Sequence, residues 1–170
     1  MTTPDPERAK KIVASAIRRP PVRDDPQFAA ARGAMVGSPA LVYTPAGEPA
    51  FWLVPLLVEG LVCGFGQVDM ASRLTHLGIL GASPQDRASW IVPSFFESPS
   101  AETLAEIRAK YPGATLSEPI LSYDASPSRW AWRLEVRADD GVRAIVFVSP
   151  GGWYSRPAGA SQPDREGTAY

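Results

Sequence analysis

The sequence predicts an α+β fold of two similar units, each a helix followed by three antiparallel strands, the two sharing one core. Three observations lead there. The stretches PALVYTPAGEPAFW, from Pro39, and PILSYDASPSRWAW, from Pro119, carry Pro, Leu, Tyr and Trp at matching spacing. A slide of about 80 residues also lays Gly33 on Gly113, Val54 on Leu134, Leu56 on Val136 and Val68 on Val148, the mark of an internal duplication. In RWAWRLEVR, Trp130, Trp132, Leu134 and Val136 alternate with Arg129, Ala131, Arg133, Glu135 and Arg137, which is the period of a half-buried strand. One helix on three strands buries little alone, so two units are expected to close their apolar faces together or to join edges into a longer sheet with the helices on one side, α+β in either case.

The elements follow in order. Ala9, Ile12, Val13, Ala16 and Ile17 fall on one face of a helix over about 6–18, which Pro20 and Pro21 stop. Lys10, Lys11, Arg18 and Arg19 lie on its polar side. They read first as a solvated face and second as a surface for an anionic membrane or partner. Asp24 or Asp25 caps a second helix with Pro26 in its first turn, running through QFAAARGAM. Strands are predicted over about 39–44, 50–58 and 61–68, with Glu59-Gly60 as a tight turn. Ser98 or Ser100 caps the helix AETLAEIRAKY, whose inward stripe is Leu104, Ile107 and Tyr111. Pro112-Gly113 ends it. Strands follow over about 115–123, 129–138 and 142–149, with Asp140-Gly141 as a hairpin turn.

The organisation is therefore an N-terminal helix over 1–22, a first unit over 23–69, a connector over 70–98, a second unit over 99–150, and a mobile tail over 151–170. Within the connector, PQDRASW suits one helical turn.

The helix ending in AEIRAKYPGATL, the WAWRLEV strand, the D-G hairpin and the closing RAIVFVSPGG resemble the PepSY-type α/β repeat, a cystatin-like wrap of sheet around helix. The resemblance covers 101–150 and extends faintly to 27–69. It implies a module that binds or restrains partners, and it brings no catalytic residues.

Composition narrows the function. A net charge of −1 gives no overall basic footprint for nucleic acid. The single cysteine, Cys63, makes no internal disulfide, no secretory signal opens the chain, and no apolar run reaches the length of a transmembrane helix. A soluble cytoplasmic protein is the expectation. His76 is the sole histidine, and with Cys63 it supplies too few ligands for a metal site. No dinucleotide fingerprint, phosphate loop or G-x-S-x-G elbow is present, so neither cofactor nor catalytic residue is assigned. Gly64 and Gly66 in LVCGFG read as a bulge or a site of close packing. Trp52, Trp130 and Trp132 are in phase with core aliphatics.

Unlike RWAWRLEVR, the strand AFWLVPLLV is apolar on both faces. Burying Phe51, Leu53 and Leu57 contributes on the order of 5 kcal/mol, so something must cover them: the chain itself or a partner. Pro55 suggests an edge or a bulge. Phe95, Phe96, Trp153 and Tyr154 lie outside the predicted strands and are the other candidate partner anchors. The expected function is a non-catalytic protein- or peptide-binding module, with a homo-oligomer left open. The alternative is a carrier or sensor of an apolar small molecule. A small hydrolase using Cys63 and His76 comes last.

Overall fold

The computed structural model describes residues 5–20, 22–80 and 90–159. The chain divides into two compact units, Met1–Pro99 and Ser100–Tyr170, and each contains a five-stranded antiparallel sheet. The fold is α+β with two similar sheet units.

In the first unit, α1 (Pro6–Arg18) begins where the Asp5 carboxylate accepts a hydrogen bond from the Glu7 N–H at 3.0 Å, with Pro6 opening the first turn. Ala9 and Val13 are buried, while Ile12 and Ile17 pack at the margin of the core. The second α-helix expected from Pro26 is absent. Short 3₁₀ turns at Val22–Asp24 and Pro26–Ala31 stand in its place, the latter capped by Asp25. Gly33, at φ +79°, already turns the chain toward a strand beginning at Met35, so few residues remain, and 3₁₀ geometry covers more distance per residue.

The sheet comprises β1 (Met35–Val36), β2 (Ala40–Tyr43), β3 (Pro49–Val58), β4 (Leu61–Asp69) and β5 (Leu74–Ile79). β1 and β2 follow one another along one side of β3, and β4 then β5 lie on the other. One face joins α1 in a buried cluster that includes Val13, Trp52, Val54, Leu56, Cys63 and Val68.

The second unit repeats the plan. α2 (Ala101–Lys110) is capped by Ser100, whose Oγ accepts from the Thr103 N–H at 3.1 Å. Ile107 is buried, with Leu104 and Tyr111 half-buried beside it. Then come β6 (Thr115–Leu116), β7 (Ile120–Tyr123), β8 (Trp130–Ala138), β9 (Gly141–Ser149) and β10 (Gly152–Pro157). β6 and β7 line one side of β8, and β9 then β10 the other.

The likeness extends to register. Leu41 pairs with Trp52 and Trp52 with Val68; Leu121 pairs with Trp132 and Trp132 with Val148. The long hairpins even share a bulge, between Leu56 and Leu57 in one and between Val136 and Arg137 in the other. A bulge adds a residue to one strand and redirects the side chains beyond it, so its recurrence at matching positions is independent of the hydrophobic pattern.

Several expectations need correction. Each sheet has five strands where three were predicted. The strand predicted over 115–123 is broken in two near Pro119, which has no N–H for the ladder. In the first unit β1 lies ahead of the strand predicted over 39–44, at the end of the stretch read as a second helix. The fifth strands come from SRLTHLGIL, whose weak alternation suits a strand or a loop, and from the predicted tail. β5 lies in the predicted connector, and β10 occupies 152–157 of the predicted mobile tail. Trp153 and Tyr154 therefore belong to a strand. The second long hairpin turns on Asp139-Asp140, with Gly141 as the first residue of β9. The turn predicted in PQDRASW falls outside the described residues except for Trp90, which is buried.

Pro55 lies in the central strand β3, not at an edge, just ahead of the bulge between Leu56 and Leu57. The second unit explains how this is tolerated. At the equivalent position the Glu135 N–H donates to the Ser117 Oγ at 2.9 Å, in the gap between β6 and β7. A backbone N–H here faces a break in the neighbouring strand, so proline forfeits no ladder bond. Gly37 stands where Ser117 does, and a Cβ there would lie 2.9 Å from Pro55 Cγ. Thus Gly37 and Pro55 form a matched pair, as do Ser117 and Glu135.

Candidate functional site

The residues nominated from sequence do not gather into one site. Phe51 and Leu53 are buried, 6% and 0% exposed, and Leu57 is half-buried. Of the two covers weighed for this face, the chain itself supplies that of Phe51 and Leu53, which removes these two as open partner anchors. Phe95 and Phe96 lie in the short turn Pro93–Phe96 and pack edge to face, 5.6 Å between ring centroids, with Phe96 buried. Trp153 and Tyr154 alternate across β10. Trp153 Nε1 donates to Glu106 Oε2 at 3.0 Å, and Lys110 Nζ lies 4.9 Å from its ring centroid. Trp153 is thus the seat of α2.

Cys63 and His76 do not meet. Cys63 is buried in the α1-side cluster, its Sγ donates to the Leu56 carbonyl at 3.4 Å, and burial raises its thiol pKa. His76 is exposed beside Phe65 and pairs with Gln67, four residues along β4 from Cys63, roughly 13 Å of strand. Among the described residues, no three of His, Cys, Asp and Glu come together as metal ligands, and no helix is long and apolar enough to cross a membrane.

The second unit holds a buried charged cluster that sequence reading missed. Asp124 follows β7 and is 2% exposed. Its Oδ2 accepts from Tyr154 Oη at 2.5 Å and from Arg156 Nη2 at 2.7 Å, while Arg129 Nη2 stands 3.6 Å away. Tyr154 stacks on Phe147, and the Arg156 guanidinium lies 5.9 Å from each of those ring centroids. Burial foremost, and then the carboxylate, push the Tyr154 phenol up to about 12. With Asp124 engaged by its neighbours, this is a clamp that ties β10 to the loop after β7.

A cleft in the first unit lies among α1, Pro26–Ala31 and β1, with a volume of about 940 Å³. Its floor is apolar, from Ala14, Ile17, Val22, Phe28, Met35 and Val36. Met35 is 67% exposed, the most open large apolar side chain among the described residues. Lys10, Lys11, Arg18, Arg23 and Arg32 also line the cleft, against a single acid, Glu7. Arg23 is engaged by Asp24, with Nε to Oδ1 at 2.8 Å, and that pairing lowers the Asp24 carboxyl pKa. Among the described residues, no ion pair involves Lys10, Lys11, Arg18 or Arg32. The alternation of bases and aliphatics in α1 was legible in sequence. That Arg32 and Met35 return beside it was not, because the turn at Gly33 brings them there.

No family model matches the chain, and no curated protein or solved structure matches it.

Proposed function

We propose that this chain is a non-catalytic binding module that takes a protein or peptide partner in the cleft beside α1. The observation that carries the reading is an apolar cleft floor that includes the exposed Met35, beside Lys10, Lys11, Arg18 and Arg32, none of which forms an ion pair among the described residues. Apolar anchors set in a charged margin are the usual anatomy of a recognition surface. The likeness of residues 101–150 to PepSY-type repeats supports the same reading, and a single buried thiol suits a cytoplasmic setting.

Ala14→Trp tests it by filling the cleft from the solvent side of α1. The wild type is expected to retain a stoichiometric partner in crosslinking and affinity purification, and the variant to lose it with its circular dichroism unchanged. Identical retention by both proteins would move the partner surface elsewhere.

The second reading is a carrier of an apolar small molecule. The cleft volume favours it, since it falls in the range of small-molecule sites. Native mass spectrometry of the purified chain separates the two. A co-purified compound displaced by Ala14→Trp marks the carrier.

A further inference from the structure

Resting on that reading, we infer that the cleft selects a short acidic segment of its partner, one that carries bulky apolar side chains among aspartates and glutamates. The charge of the whole chain is −1, yet the cleft gathers five cations around one acid. Asp24 already occupies Arg23. Lys10, Lys11 and Arg18 line the cleft with Glu7 as the acid beside them, and Arg32 acts on the Asp24 charge, but none of these four cations forms an ion pair among the described residues. Such a rim speeds the approach of an acidic partner and penalises a basic one.

The floor argues against a polyanion that is charged throughout. A nucleic-acid backbone satisfies the rim and leaves Met35 in contact with phosphate and water. A peptide that alternates acids with Leu or Phe satisfies both zones. The dimensions agree. Glu7 and Arg18 both line the cleft, so it runs about 16 Å along α1, the length of about five extended residues. Outward of the cleft, β1 is the end strand on its side of β3 and offers backbone groups to an extended chain.

The test uses the full chain and three labelled peptides of about ten residues, followed by fluorescence anisotropy. One alternates Asp and Glu with Leu and Phe. The second replaces its acids by Lys, and the third replaces its Leu and Phe by Ser. The acidic-apolar peptide should bind at least about tenfold more tightly than either control. Its affinity should fall several-fold between about 50 and about 300 mM salt. Lys11→Glu with Arg32→Glu, two exposed positions, should weaken it at least about tenfold without changing the melting temperature; the salt series needs no variant and stands if that protein folds poorly.

Equal binding of the acidic and Lys peptides overturns the selection for acid and leaves the peptide-binding reading intact. Equal binding of the acidic and Ser peptides removes the apolar floor from the inference. If no peptide binds while a long-chain carboxylate, an anionic vesicle or a single-stranded oligonucleotide does, the peptide-binding reading falls with it.

Discussion

Position 66 is glycine in the first unit, and the equivalent residue of the second is Val146; much of what separates the units turns on that difference. Both residues lie in the strand next to the central one, paired with Val54 and Leu134 respectively. Val146 is fully buried. At Gly66 the space is taken by α1: a Cβ there would lie 2.5 Å from Val13 Cγ2. The first unit has thus given up a side chain so that a helix can settle onto the strand. The segment corresponding to α2, meanwhile, is reduced to short 3₁₀ turns after Pro20 and at Pro26. One wiring plan therefore supports two ways of covering a sheet. The cleft arises where α1 and those shortened turns stand side by side.

The strongest way to break this comparison is to give the first unit the second unit's residue. Gly66→Val should cost about 3 kcal/mol in chemical denaturation, because a branched side chain meets Val13 with no room to relax. Hydrogen exchange over residues 6–18 should accelerate while β8 and β9 stay protected. Adding Val13→Ala should restore part of the loss, a coupling expected only of groups in contact. Simple addition of the two effects would mean that α1 does not depend on the glycine.

The second difference lies at the hairpin entrance. Thr44 meets it with a hydroxyl, whose Oγ1 accepts from the Glu48 N–H at 3.1 Å. Asp124 meets it with a buried charge that holds Tyr154 and Arg156. Asp124→Ala should cost about 2–3 kcal/mol, less than a fully enclosed pair because Arg156 and Arg129 are 28% and 50% exposed and reach water. Thr44→Ala, at an exposed turn, should cost under about 1 kcal/mol. Alkali sharpens the contrast. Tyr154 carries a pKa raised from 10.0 to about 12, so its contribution is whole below pH 10 and is lost as pH climbs toward 12. In a spectrophotometric titration Asp124→Ala should bring that phenol back toward its ordinary value. Equal costs at the two positions would make the clamp incidental.

The smallest effect tests the gap beside the central strand. Ser117→Ala leaves the half-buried Glu135 N–H without its acceptor and should cost about 1 kcal/mol. The first unit has no such liability, since Pro55 has no N–H. A neutral Ser117→Ala would mean that water reaches this gap.

Much of the scaffold was written in the chain. The matching Leu41–Trp52 and Leu121–Trp132 pairs, the alternation in RWAWRLEVR, the cap at Ser100 and the proline stops are short-range signals, and each produced the element expected of it. Gly66 was also legible as a place of close approach. The fifth strands were less so. β5 and β10 are exposed or half-buried through most of their length, and they become strands because β4 and β9 present unpaired backbone edges. The α1 bases could be read but not weighed, since a cationic helix face looks the same whether it faces water or a cleft.

Sequence alone determined the α+β class, the likeness of the two units and the placement of the long hairpins, because periodicity and turn chemistry act over a few residues. Tertiary structure alone decided that Phe51 and Leu53 are closed to a partner, that Asp124 meets Tyr154 and Arg156, and that Arg32 and Met35 stand beside Lys11 and Arg18. Those outcomes depend on which distant surfaces the turns bring together, and side-chain identity carries no record of a neighbour far away in the chain.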